Sequence, residues 1–221
     1  MGGIALRGAG GDGAAAVRQD ACGPEHRRRA YVAAARDSFF AKGYADVTMS
    51  SIAASVGGSK TTLWTCFPSK AALFAAVVDD IVEHYGAALR VELSLEEPVE
   101  TVLRRYAGTL LATLLSPPIL RLHRLVIGEA ERFPQLARML FERGPQPGQE
   151  RLRHYFETLM ANGRLARGDP VLAVRQFVGL CQGGRYQLAI LGIDVPATGG
   201  SMDHELDAAV SAFAKLWLAA R

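Results

Sequence analysis

From Glu25 onward the apolar positions recur at spacings of three and four, with no alternating run and no paired strands joined by a hairpin signal. That period predicts an all-α chain. A first helix spans about 25–42, with Val32, Ala35 and Phe39 on one face, and Gly43 ends it as a left-handed cap. Thr48 caps a second helix, where Met49, Ile52, Ala53 and Val56 fall at i, i+3, i+4 and i+7. A short third helix covers about 59–65, and Ser69 caps a fourth carrying Leu73, Val77, Ile81 and Tyr85. Its pattern continues toward Leu93, which predicts an unbroken lever of about 35 Å at 1.5 Å rise per residue.

Ser94 and Glu97 read as a capping box, with Pro98 in the first turn of a helix to Leu115. "SPP" at 116–118 breaks that helix, and another runs to Arg132. Pro134 starts a shorter one, and "RGPQPG" at 143–148 reads as a turn. Helices over about 149–161, 170–191 and 203–220 follow, the last two joined by the linker "GIDVPATGGS". The first 24 residues are rich in Gly and Ala and are expected to be a disordered extension. Gly8, Gly10 and Gly13 make a GxGxxG pattern there, but no strand precedes it, so a dinucleotide fingerprint is not supported.

"VGGSKTTLW", at 56–64, admits two chemistries. A phosphate-cradling P-loop needs glycine immediately before the lysine; Ser59 stands there, and no strand leads in. A helix-turn-helix needs a small residue where two helices approach and a permissive one in the turn. Ala53 and Gly57 supply both, with Val56, Leu63 and Phe67 to fill the space between.

Charge favours the second reading. The whole chain carries only +3, yet residues 25–70 hold seven basic residues against three acids, so the remainder is slightly negative. The positive charge lies where a DNA contact needs it, including the run Arg27, Arg28, Arg29. Apolar residues form 49% of the chain, enough for a sizeable core. Three widely spaced cysteines with no CxxC argue against a disulfide framework or a zinc site and fit a reducing compartment. No signal-peptide core and no membrane-length apolar run occur, so a cytoplasmic protein with no membrane partner is expected.

The stretch "RDSFFAKGYADVTMSSIAASVGGSKTTLWTCFPSKAALFAAV" resembles the DNA-binding domain of the TetR family of bacterial transcriptional regulators, through Phe39, Gly43, Tyr44, Thr48, Ile52, Ala53, Gly57, Ser59, Lys60, Leu63, Phe67, Pro68, Ser69, Lys70 and Leu73. "RLHRLVIGEAERFPQLARMLFERGP" with "GDPVLAVRQFVGLCQGG" resembles the AefR-like C-terminal subclass. The resemblance implies a helix-turn-helix DNA-binding domain at 25–87 and a ligand-binding and dimerisation domain at 88–221, linked by the fourth helix. The expected activity is that of a ligand-responsive repressor reading a pseudo-palindromic double-stranded operator as a homodimer.

Lys60, Thr61 and Thr62 are the base-facing candidates. Thr48, Ser59, Trp64, Thr65, Lys70 and the arm Arg27, Arg28, Arg29 are the candidates for phosphate and groove-edge contacts. Gly58 departs from the larger residue frequent in the family, which predicts a looser turn. Trp64 replaces the commoner Tyr, and either aromatic can pack on the sugar-phosphate backbone. Thr65 replaces a commoner basic residue and Cys66 the commoner His, which predicts either a weakened phosphate grip or one compensated by the arm Arg27, Arg28, Arg29.

No histidine has HxxxH or HExxH spacing and no GxSxG occurs, so no catalytic residues, metal ligands or cofactor are expected. Tyr106, His123, Glu129, Phe133 and Tyr155 are the candidates for an effector pocket, combining apolar bulk with a few polar groups. The last two helices are expected to form the dimer through Leu172, Phe177, Leu180, Leu188 and Leu191, the small Gly179, Gly183 and Gly184, and the stripe Leu206, Val210, Phe213, Trp217. The rival reading is a helical small-molecule-binding protein or enzyme with an incidental helix-turn-helix.

Overall fold

The computed structural model describes residues 24–194 and 201–219. The N-terminal extension with its glycine pattern, Cys22 and most of the "GIDVPATGGS" linker lie outside the described residues. The elements are α1 (Pro24–Lys42), α2 (Met49–Ser55), α3 (Lys60–Cys66), α4 (Lys70–Tyr85), α5 (Val99–Leu115), α6 (Pro117–Glu129), α7 (Pro134–Arg143), α8 (Pro145–Ala161), α9 (Pro170–Ile190) and α10 (Met202–Trp217), with a 3-10 turn at Ala87–Arg90. The fold is all-α. Among the described residues no single helix is long and apolar enough to cross a membrane.

Apolar side chains gather in two cores. The first holds Tyr31, Phe39, Tyr44, Ile52, Leu63, Phe67, Phe74 and Ile81 from α1–α4 and the loop between α1 and α2. Ile119, Leu122 and Val126 of α6 and Leu136 and Leu140 of α7 complete it. The second joins α5, α8, α9 and α10 around Phe156, Phe177 and Phe213, whose rings lie 5.2–6.1 Å apart. Thus α6 and α7, though late in the chain, pack with the N-terminal helices.

The fourth helix is shorter than its pattern predicts. It covers 16 residues and stops at Tyr85. Gly86 has non-helical backbone (φ −79°, ψ 45°) and its N–H closes the last turn on the Val82 carbonyl at 2.8 Å. The expected lever to Leu93 is therefore wrong, and Ala87 and Ala88 sit in the 3-10 turn beyond the break.

The carbonyls of the irregular segment that follows find partners far along the chain. Arg151 donates to those of Leu89 and Val91, Arg105 to Glu92, and Arg164 to Leu95 and Glu97. Buried or half-buried carbonyls need such partners, and a helix would have satisfied them internally instead.

Two further boundaries differ. Glu97 forms a two-pronged pair with Arg105 (2.8 and 2.9 Å) rather than a capping box, and Ser94 receives the Glu96 N–H. The "RGPQPG" turn reduces to Gly144, because Pro145 begins α8 at a position where a missing N–H costs nothing.

Candidate nucleic-acid interface and effector cavity

The turn between α2 and α3 is a Schellman close. The Gly57 N–H donates to Ala54 and the Gly58 N–H to Ala53, both at 3.1 Å, while Gly57 takes φ +68°. Ala53, Leu63 and Phe67 are buried at the crossing of the two helices. On the opposite side of α3, Lys60, Thr61 and Trp64 face solvent, Trp64 with half its surface exposed.

The neighbouring hydroxyls hold the helix ends. Thr48 accepts the Ser51 N–H at 3.1 Å, and Ser59 accepts the Thr62 N–H at 3.0 Å and pairs with the Thr62 hydroxyl at 2.8 Å. Thr65 donates back to the Thr61 carbonyl at 2.9 Å. Local chemistry therefore sets Lys60, Thr61 and Trp64 apart as outward-facing groups. Thr48, Ser59, Thr62 and Thr65 fix the helices that carry them.

The N-terminal arm approaches this surface. All three of its arginines are exposed; Arg28 lies over the Phe67 ring at 5.0 Å and Arg29 meets Glu25 at 3.3 Å. Arg28 thus joins the start of α1 to the end of α3.

Lys70 has a task other than the expected phosphate contact. Its ammonium donates to the carbonyls of Tyr44 (2.8 Å), Ala45 (3.2 Å) and Val47 (2.9 Å), and it lies 4.4 Å from the centre of the Tyr44 ring. Three N–H donors meet three carbonyls, so Lys70 pins the loop between α1 and α2. Burial pushes its pKa down, opposed by the nearby Glu129 carboxylate.

Glu129 works on the same loop. Its carboxylate accepts the Ala45 N–H at 2.9 Å, and a side chain at Gly43 would begin 3.0 Å from that oxygen. The last residue of α6 therefore grips the N-terminal unit. This removes Glu129 from the effector candidates.

Phe133 also leaves that set, because its ring packs edge-on against Tyr44 at 5.0 Å. Tyr155 leaves it too: it is buried in the second core and donates to the Ser94 carbonyl at 3.2 Å.

Tyr106 and His123 do line a common space. A partly enclosed cavity of about 100 Å³ lies between the two cores, bounded by α4, the 86–89 break, α5, α6, α7, α8 and α9. Leu89, Leu110, Ile119 and Val178 give it apolar walls. His123 Nδ1 is 2.7 Å from the Tyr186 hydroxyl, and burial pushes its pKa down. Burial pushes the Tyr106 phenol up to about 12. Gln149 and Gln182, which the sequence reading missed, also face this space. Nothing local marks a glutamine on a helix as cavity-lining.

Comparison with known proteins decides the family. Residues 32–77 match the N-terminal domain of bacterial regulatory proteins of the tetR family, and residues 101–217 match the AefR-like transcriptional repressor C-terminal domain. The chain belongs to the TetR family. Among solved structures, the flavonoid-responsive regulator FrrA is 31% identical with a TM-score of 0.78, over 88% of this chain and 98% of that one. A TetR-family protein from Mesorhizobium loti MAFF303099 is 28% identical (TM-score 0.73), again over 88% of this chain and 98% of its own. A TetR regulator from Agrobacterium tumefaciens is 25% identical (TM-score 0.66), over 87% of this chain and 95% of its own. No curated protein sequence matches.

As a TetR-family DNA-binding transcriptional regulator, the chain shows one substitution explained by its own packing. The turn is not loosened at Gly58. A side chain there would begin 2.2 Å from the hydroxyl of Tyr31, a residue of α1 with 1% of its surface exposed. Tyr31 fills the space a larger turn residue would take.

The TetR-family dimer expectation divides in the same way. Phe177, Leu206, Val210, Phe213 and Trp217 are buried within their own chain. Leu172, Leu180 and Leu191 are exposed, and at Gly179, Gly183 and Gly184 an added side-chain carbon would meet nothing within 4 Å among the described residues beyond the helix's own nearby backbone. Among the described residues no group of three or more metal-ligating side chains gathers.

Proposed function

We propose that the protein is an effector-responsive repressor that acts in the cytoplasm and binds a pseudo-palindromic operator as a homodimer. In this reading α3 enters the major groove. Lys60 and Thr61 face the bases, with Thr62 at the groove edge, while Trp64 and the arm of Arg27, Arg28 and Arg29 rest on the backbone. Residues 25–87 form the reading head and 88–221 the effector and dimer part, with α6 and α7 seated on the head. FrrA by its name responds to flavonoids; a small organic effector in the cavity carries that likeness over.

One observation supports the regulatory part most. Helix α6 lines the cavity through Ile119 and His123, and its last residue, Glu129, holds the loop of the reading head. An occupant that displaces α6 shifts that grip, and with it the spacing of the two reading helices. The homodimer is supported by exposed Leu172 and Leu180 near Gly179 and Gly184, which packing within the described chain does not require; Gly183 is instead accounted for by its φ of +24° at a kink in α9. Two copies of α9 and α10 would close these faces as a four-helix bundle.

Fluorescence anisotropy against fragments of the DNA flanking its own gene tests the reading. One fragment binding two protomers, with Lys60→Ala weakening that binding, is the expected result. No preference for any fragment over random DNA would return the rival, a helical binding protein or enzyme with an incidental helix-turn-helix.

A further inference from the structure

The cavity wall is informative about charge. Among the described residues it contains no Asp, Glu, Lys or Arg, and burial pushes the pKa of its one histidine, His123, down, which favours the neutral imidazole. The nearest guanidinium with an influence on Tyr106, that of Arg151, is engaged by the carbonyls of Leu89 and Val91 and does not line the space. An ion entering here would lose its hydration and meet no opposite charge, which is strongly unfavourable. The site therefore selects against carboxylates and ammonium groups.

The wall is not purely apolar either. Tyr106 has 2% of its surface exposed, and its hydroxyl makes no hydrogen bond among the described residues. The Gln182 and Gln149 amides at the wall likewise make none. A side chain on Gly148 would begin 3.3 Å from the Tyr106 oxygen and 2.9 Å from Leu89, so this glycine keeps the space beside the phenol open. Buried polar groups are normally paired. Among the described residues no fully sealed side-chain nitrogen or oxygen lacks a partner, so the Tyr106 oxygen keeps a little accessible surface, and the space beside it is the cavity: its O–H is a donor open to a ligand oxygen.

We infer that the effector is an uncharged, mainly apolar molecule carrying a hydroxyl or carbonyl oxygen, and that Tyr106 is the residue that recognises this oxygen. This rests on the effector reading of the cavity given above. The volume of about 100 Å³ is below the ~150 Å³ of an engineered cavity that holds benzene. Even a single ring requires the wall to yield. One wall segment is held by a single 3-10 turn rather than an α-helix: the 86–91 break, with the Leu89 N–H on Gly86 at 3.0 Å and the Val91 N–H on Ala88 at 3.5 Å, which hangs directly from the end of α4.

Isothermal titration calorimetry on the full chain with p-cresol, p-xylene and p-toluate separates the possibilities. These share one ring and differ in bearing a neutral oxygen, none, or a charge. The expected result is p-cresol binding at least tenfold more tightly than either of the others. In Tyr106→Phe the advantage of p-cresol over p-xylene should vanish while p-xylene binding stays. p-Toluate binding as tightly as p-cresol overturns the inference, as does an intact cresol preference in folded Tyr106→Phe, or no heat from any probe. The wild-type ranking decides the ligand class even if the variant does not fold. Operator affinity, measured separately with saturating p-cresol, tests the effector reading itself. Bound cresol with unchanged DNA affinity would sink that reading and leave the ligand class standing.

Discussion

The two ends of this molecule are held together by different means. In the reading head most fixing contacts are local: Thr48 to Ser51, Ser59 to Thr62, Ser69 to Ala72, and the two turn N–H groups on Ala53 and Ala54. In the C-terminal half the decisive contacts span large separations, such as Arg151 to Leu89 and Arg164 to Leu95. Arg104 likewise ties α5 to α10 through Asp203 and Asp207 at 2.6 and 2.5 Å. A head that must present one rigid surface gains from short, self-contained caps. On the proposed reading, a cavity that yields to an occupant gains from a break whose carbonyls are satisfied by long, jointed arginines.

Lys70 is where this contrast breaks, since it is the head's own long-range clamp. Lys70→Ala removes three charge-assisted hydrogen bonds from one loop, each of a kind worth about 1.5–3 kcal/mol, with solvent at the half-exposed ammonium reducing the sum. We expect a loss of about 3 kcal/mol in stability, read by chemical denaturation, with operator binding falling only as the head loosens. A fully stable Lys70→Ala that binds DNA poorly would return Lys70 to the phosphate contacts.

Lys60→Ala is the counterpart. Its side chain is exposed and makes no hydrogen bond or ion pair among the described residues, so stability should hold. Operator affinity should fall by about 1–3 kcal/mol, with relaxed specificity if the contact is to a base. Equal binding by wild type and variant would place Lys60 off the interface. Replacing Arg27, Arg28 and Arg29 by Ala should weaken specific and random DNA alike. It should also flatten the salt dependence by about 0.9 in slope for each phosphate no longer neutralised. An unchanged slope would confine the arm to packing, such as that of Arg28 on Phe67.

Gly58→Ala sharpens the account of the turn. The new methyl would lie 2.2 Å from the Tyr31 hydroxyl and 3.0 Å from the ring carbon bearing it. Overpacking of this kind costs about 1–3 kcal/mol. Tyr31→Phe with Gly58→Ala should recover part of it, and equal melting temperatures for the single and double variants would dissociate the two residues.

This contrast also explains what could be read from the sequence. The helix-turn-helix was legible because its signals are adjacent: Thr48 before Met49, Gly57 after Val56, Ser69 before Lys70. The break after Tyr85 was not, because Ala87, Ala88 and Leu89 are good helix formers. What holds them otherwise includes Arg151, more than sixty residues on. Glu129 and Phe133 have the chemistry of pocket residues, yet their partners Ala45 and Tyr44 lie in the head. Tyr106 and His123, each a polar group on an apolar stripe, do line the cavity.

The smallest expected effect concerns pH, and it separates the halves again. His123 sits at the seam between α6 and α9, its Nδ1 against Tyr186, and burial holds its pKa below the usual 6.5. The folded state therefore takes up its proton later than the unfolded state as pH falls. His123 contributes its full stability above about pH 6.5 and loses it progressively below, until the imidazole protonates within the fold. Stability should therefore fall between pH 7.5 and 5.5. His123→Gln keeps a polar side chain without a titrating group and should flatten that part of the curve. Tyr186→Phe should leave a pH dependence of the same sign, since burial rather than the hydroxyl causes the depression. The measurement is denaturant unfolding across this range, with the His123 ring resonances followed in parallel. A ring that titrates at or above 6.5 in the folded protein would place His123 in contact with water and remove it from the cavity wall.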